Sequence, residues 1–143
     1  MKRIIIASHA SLAKGFCDAL KLITGETENI YYINAFTDNF NPQEDLVSLL
    51  DSFSSDDSIF VLTELMGGSV NQFVSLLARE RHFTLITGIN LGLVLEIALK
   101  DEESLTDEAI REIIKKCRCD LTLMNDEFTA LDAENQNEDE FFE

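Results

Sequence analysis

Tryptophan is absent, tyrosine occurs twice, proline once and glycine six times in 143 residues. So little Gly and Pro excludes collagen-like and low-complexity architectures, while 45% hydrophobic residues suffice for one domain with a sizeable core. Basic residues are equally scarce, 11 Lys and Arg against 27 Asp and Glu, which leaves a formal charge of −16. No stripe of Lys and Arg is available to neutralise phosphates, so nucleic acid and anionic lipid surfaces are excluded as partners. The longest apolar run, near residues 91–99, falls far short of the ~20 residues of a membrane span. Lys2 and Arg3 precede only a short apolar run ending at His9, too short for a signal peptide and better read as a first strand. The three cysteines are too few and too widely spaced for a disulfide framework, which points to reduced thiols in a cytoplasmic protein. Cys117-Arg118-Cys119 lacks a second Cys or His pair, so neither a metal nor another cofactor is expected.

What is present alternates between two patterns. Residues 2–7, 29–34, 58–63 and 83–87 are apolar, β-rich runs of the kind found in strands buried on both faces. Between them lie helical patterns. Leu12, Phe16, Ala19, Leu20 and Ile23 share a face that ends at Gly25. Pro42 opens a helix to about Phe53, and further helices cover about 69–81 and 91–99. Thr106 with Asp107 and Glu108 opens another, striped by Ile110, Ile113, Ile114 and Cys117. Such alternation predicts an α/β, doubly wound, mainly parallel sheet of four strands, with residues 121–124 as a C-terminal edge strand. Residues 1–125 form the predicted domain. Residues 126–143 carry eight acidic and no basic side chains and are expected to be a disordered acidic tail.

Ligands of doubly wound sheets sit beyond the carboxyl ends of the strands, which directs attention to three turns. The first holds His9, beside a helix N-terminus whose N–H groups and dipole suit an anion carried on the imidazole; the alternative is a His that merely bonds the turn. The second reads Glu64-Leu65-Met66-Gly67-Gly68-Ser69. Its glycines permit close backbone approach, Ser69 is expected to cap the next helix, and Glu64 is a carboxylate at the end of an apolar strand. An imidazole partner would resolve that charge and orient the ring for attack; the alternative is an ordinary turn with an exposed Glu. In the third turn Asn90 is placed to cap a helix, a structural role. His82 precedes the fourth strand and lies at the opposite end of the sheet.

Together, IIIASHASLAKGF, VLTELMGGSVN and TGINLGLVLE resemble the IIA component of the mannose-type phosphoenolpyruvate-dependent sugar phosphotransferase system, over about residues 1–125. The resemblance implies a phosphoryl relay. The phosphocarrier HPr phosphorylates His9 on Nε2, and His9 passes the group to a IIB component during sugar uptake, serving the membrane IIC and IID components indirectly. Glu64 falls at the orienting acid, and Ser11, Gly67, Gly68 and Ser69 form the expected phosphate-binding set. The resemblance also implies a homodimer exchanging a C-terminal edge strand, for which 121–126 is the candidate, and no insertion into the membrane.

Three positions depart from the family pattern: Glu64 stands where Asp is usual, and Val70 and Gly92 stand where Pro is usual. These departures point to divergent specificity or reduced activity, and they motivate a second reading, a regulatory IIA-like module that docks partners with slow or no transfer. A third reading is the related phosphoryl-transfer subunit serving dihydroxyacetone kinase, which shares the first-turn His; the double glycine favours the mannose-type family. A flavodoxin-like nucleotide or flavin binder is disfavoured by the missing Trp, the few Tyr and the lack of G-x-G-x-x-G or P-loop patterns.

Overall fold

The computed structural model describes residues 1–25, 28–37, 41–65 and 68–142. Four strands, β1 (Lys2–His9), β2 (Ile30–Ala35), β3 (Ser58–Thr63) and β4 (Thr84–Thr87), form one sheet in the order β2-β1-β3-β4, every pair parallel. The helices are α1 (Leu12–Thr24), α2 (Pro42–Ser52), α3 (Ser69–Glu80), α4 (Leu91–Leu99), α5 (Asp107–Cys117) and α6 (Met124–Phe142).

Successive residues of a strand face opposite sides, and the two sides of β1 are both apolar. Ile4 and Ile6 join Phe60, Leu62 and Ile86 beneath α1, α4 and α5. Ile5 and Ala7 join Ile33, Ala35 and Val61 beneath α2 and α3. Helices on both faces are what turn short continuous apolar runs into interior strands. The helix ends follow their local chemistry. Asn41, Asn90 and Thr106 accept the N–H groups of Glu44, Leu93 and Ala109, with Pro42 opening α2. Gly25 ends α1 in the left-handed conformation, φ 76°, and returns its N–H to Lys21 O.

Cys17 and Cys117 are buried in the core as small apolar side chains, and burial pushes the Cys17 thiol up to about 11; Cys119 is exposed. Among the described residues no helix is long and apolar enough to cross a membrane.

The C-terminal segment corrects the sequence-based expectation. Residues 121–123 lie in no strand and from Met124 the chain is helical, so the strand expected at 121–124 is not formed within this chain; its exchange across a dimer is a separate expectation. The reason is local. From Met124 onward there is no Gly or Pro, Ala and Glu recur with Leu131 and Gln136 among them, and Asp126 and Glu127 occupy the first turn, where they complement the helix dipole. Strand-like alternation does not extend past Leu123.

The amino edge of the sheet is held by charge. Asp57, its side chain 6% exposed, accepts from Arg3 Nε at 3.1 Å and Ser54 N–H at 3.0 Å, and pairs with the Met1 ammonium at 3.3 Å. Burial works against the carboxylate, but the hydrogen bonds from Arg3, Ser54 and Met1 outweigh it and hold the group below its ordinary value. A depressed carboxylate stabilises the fold above its unfolded-state value, and that stability is lost as pH falls through the folded value. Asp57→Asn is therefore expected to lower the melting temperature at neutral pH. The gap should narrow on acidification below about pH 4, the ordinary Asp range, as paired thermal melts across that range would show.

Candidate active site

β1 and β3 are neighbours, yet α1 and α3, which follow them, pack on opposite faces. Their carboxyl ends therefore frame a crevice at the switch point of the sheet, where ligands of such folds bind. His9 closes β1, and Glu64 stands one residue past β3.

Beyond the last β1–β3 pair, Ala7 with Thr63, the Glu64 side chain continues the contact between the two strands. Its Oε1 accepts the His9 backbone N–H at 3.0 Å and also the His9 ring N–H at Nδ1. A carboxylate only accepts, so this bond assigns the proton to Nδ1 and leaves Nε2 with its lone pair. Nε2 faces Ser69 Oγ at 3.3 Å. The His9 side chain is 41% exposed and that of Glu64 12%, so the ring reaches solvent while its anchor does not. The alternative of an exposed Glu64 is thereby set aside. Its second oxygen, Oε2, is buried without a hydrogen-bond partner among the described residues.

The turn after β3 is held from below. Val70 and Val74 are buried in the core under α3, the Thr63 hydroxyl donates to Asn71 Oδ1 at 3.1 Å, and Ile89 N–H donates to Thr63 O at 3.2 Å. Ser69 corrects its expected role: Gly68 is the N-cap, Ser69 is the first helical residue, and Gly68 offers no side-chain cap. No side chain of the N-cap therefore takes up the leading N–H groups of α3, and a helix N-terminus of this kind suits an anion. Gly68 is closely approached by its neighbours. A Cβ there would lie 3.3 Å from Leu65 Cβ and 3.7 Å from His9 Cε1.

His9, Glu64, Gly68 and Ser69 are therefore brought together. Ser11 opens α1 on the same rim, exposed and without a side-chain cap bond. Gly67 lies outside the described residues. Asn90 has the structural role expected of it: Oδ1 caps α4 and Nδ2 donates to Cys117 O at 3.0 Å. His82 is exposed just before β4, at the amino edge. At Gly92 a Cβ would come within 2.7 Å of Asp120 Oδ2, so the missing side chain admits that carboxylate.

Sequence reasoning missed Phe36. It follows the last residue of β2 and stacks on the His9 ring, with centroids 5.2 Å apart and planes 24° apart. Its only signal was an aromatic residue directly past a strand, at the same sheet edge as His9.

The fold and the crevice define a class: a parallel α/β domain with a carboxylate-oriented histidine at its switch point. Residues 3–114 match the family described as the PTS system fructose IIA component, and the chain belongs to this mannose-type EIIA family of the sugar phosphotransferase system. The sorbose-specific EIIA component of the phosphotransferase system from Lacticaseibacillus casei is 27% identical over 145 residues, 96% of this chain and 99% of that protein. The crystal structure of phosphotransferase system component EIIA from Streptococcus agalactiae is similar at TM-score 0.71 and 25% identity, over 87% of this chain and 98% of that one. A mannose/sorbose-specific IIA subunit from Enterococcus faecalis shares the fold at TM-score 0.71 and 22% identity, over 86% of this chain and 95% of that one.

Proposed function

We propose that this chain is a phosphoryl carrier that accepts a phosphoryl group from phospho-HPr on His9 Nε2 and passes it to a IIB component during sugar uptake. The observation that carries this reading is the hydrogen bond of His9 Nδ1–H to Glu64, which leaves the other ring nitrogen as a solvent-reaching nucleophile. In the transfer, the Nε2 lone pair attacks phosphorus in line. The P–N bond to the donor imidazole breaks, and its electron pair returns to the donor nitrogen. Nδ1 keeps its proton, and the charge that develops on the His9 ring is balanced by Glu64. The Ser69 hydroxyl, which donates to Nε2 in the resting state, turns to a phosphoryl oxygen, joined there by the leading N–H groups of α3. Passage to the IIB component repeats the step with His9 as donor.

The surroundings suit a docking face. Leu12, Phe36, Leu65 and Leu91 are exposed on the same edge of the sheet as His9. The charge of −16 speeds encounter with a partner that presents a basic face.

The test is transfer itself. With enzyme I, HPr and phosphoenolpyruvate, the chain is expected to gain one acid-labile phosphoryl group, mapped to His9 under alkaline conditions and drained by a IIB protein. A chain that stays unlabelled while a control IIA protein is labelled would overturn the carrier reading and leave the regulatory docking module.

A further inference from the structure

Phe36 occupies a backbone position that its side chain does not favour. Its φ is +62°, the left-handed region, and its side chain is 63% exposed. For a bulky L-residue that conformation is strained, and an exposed ring recovers little from burial. The turn is nevertheless built to hold it. Ala10, also left-handed at φ 49°, donates its N–H to Ala35 O at 2.8 Å, which ties the turn after β1 to the end of β2. The Thr37 hydroxyl donates to Asn34 O at 2.9 Å, and Asn34 Oδ1 accepts Lys14 N–H at 3.2 Å. Two neighbouring strands therefore leave the sheet through left-handed residues. The outcome is an aromatic face lying over the imidazole, centroids 5.2 Å apart. Strain kept in place by its surroundings at a site is a pointer to function.

What the face offers depends on the charge of the ring beneath it. Over neutral imidazole it supplies dispersion alone. Once Nε2 carries a phosphoryl group and Nδ1 keeps its proton, the ring is a cation, and a cation within about 6 Å of an aromatic centroid is attracted by its quadrupole. Resting on the carrier reading of His9, we propose that Phe36 is a positioning residue that holds the phosphorylated imidazolium by its face. It thereby raises the share of His9 that stays phosphorylated and slows loss to water. In that loss, a water oxygen attacks phosphorus, the P–N bond breaks with its electron pair returning to Nε2, and inorganic phosphate departs with the water's oxygen.

Three substitutions separate the face from mere cover. Phe36→Leu keeps an apolar side chain without the aromatic face, Phe36→Tyr keeps the face, and Phe36→Gly removes the ring while relieving the left-handed strain. Each full-length variant is equilibrated with phospho-HPr to read the phosphorylated fraction, then freed of donor to time the release of phosphate. Phe36→Leu and Phe36→Gly are expected to lose phosphate about two- to fivefold faster, with a phosphorylation equilibrium shifted by about the same factor. Phe36→Tyr should match the parent, and Phe36→Gly should melt no lower than the parent, so its loss is not one of folding. If Phe36→Leu holds its phosphate as long as the parent, or Phe36→Tyr loses it as fast as Phe36→Leu, the role of the face is overturned while the carrier reading stands. A parent chain that never takes up phosphate overturns the carrier reading, and this role with it.

Discussion

A chain carrying His9→Gln is expected to take up no phosphoryl group from phospho-HPr while keeping its fold. The effect should be large because nothing described at the crevice can replace Nε2. Ser69 Oγ is near, at 3.3 Å from Nε2, but the base its hydroxyl faces is that same imidazole, which the substitution removes, and an unassisted hydroxyl is a weak nucleophile. The other histidine, His82, is exposed at the amino edge. Without a nucleophile the site retains only its anion-binding elements, which position but do not accept, so incorporation should fall by roughly 10⁴-fold or more, the scale seen when one member of a catalytic set acting as a unit is lost. The choice of replacement matters. His9→Ala removes a donor from Glu64, whose Oε2 is already without a partner among the described residues, and leaves Oε1, among those residues, with the backbone N–H alone. Stripping a buried carboxylate of a donor costs about 1–3 kcal/mol, so a loss of activity in that variant would be mixed with a loss of stability. A Gln amide can still donate toward Glu64. Label incorporation read beside the melting temperature separates the two effects: His9→Gln should be inactive and close to parental in stability. Label on His9→Gln equal to that of the parent would remove His9 from the relay.

Much of this site was visible in the sequence because its chemistry lies at strand ends. Continuous runs such as residues 58–63 read as buried strands, and the turn that follows such a strand must open on the carboxyl edge, so the pattern alone puts His9 and Glu64 on one rim. The contact itself was not legible. It depends on β1 and β3 being neighbours, a long-range pairing that no local pattern encodes, with β2 at the sheet edge and not between them. Ser69 was misjudged by one position because Ser is a common N-cap, whereas here Gly68 takes the extended cap conformation, φ −67° and ψ 162°. Phe36 went unseen because a left-handed φ on an aromatic residue is contrary to propensity, and sequence reasoning favours the conformation each residue prefers. Within this chain the segment from residue 121 departs from its sequence pattern for the opposite reason. Leu121, Thr122 and Leu123 alternate as a strand would, but the helix-forming residues after them prevail.

Replacing Glu64 should have the second largest effect, and two substitutions divide its role. Glu64→Gln keeps the length and removes the charge. Its single carbonyl oxygen can still accept from the His9 ring and backbone N–H groups, but no anion remains to balance the ring as it gains charge during transfer. Losing such an orienting acid is expected to slow transfer by roughly 10²–10⁴-fold. Stability is expected to fall as well, because the amide NH2 takes the place of buried Oε2, where no hydrogen-bond partner lies among the described residues, so the melting temperature is read beside the rate. Glu64→Asp keeps the charge and shortens the reach by one methylene. In this chain the longer side chain already contacts both Nδ1 and the backbone N–H of His9, so withdrawing the carboxylate by about 1 Å is expected to cost on the order of 10²-fold through misplacement alone. The family pattern favours Asp at this position, so the comparison decides how the departure is accommodated. Single-turnover transfer from phospho-HPr, timed by rapid quench, reads the chemical step free of docking and release. If Glu64→Asp transfers as fast as the parent, the backbone after β3 follows the shorter side chain, and the pairing of Glu64 with His9 is set by charge. If it is slow, this crevice has been fitted to glutamate, and the extra methylene belongs to a working site and not to a decaying one.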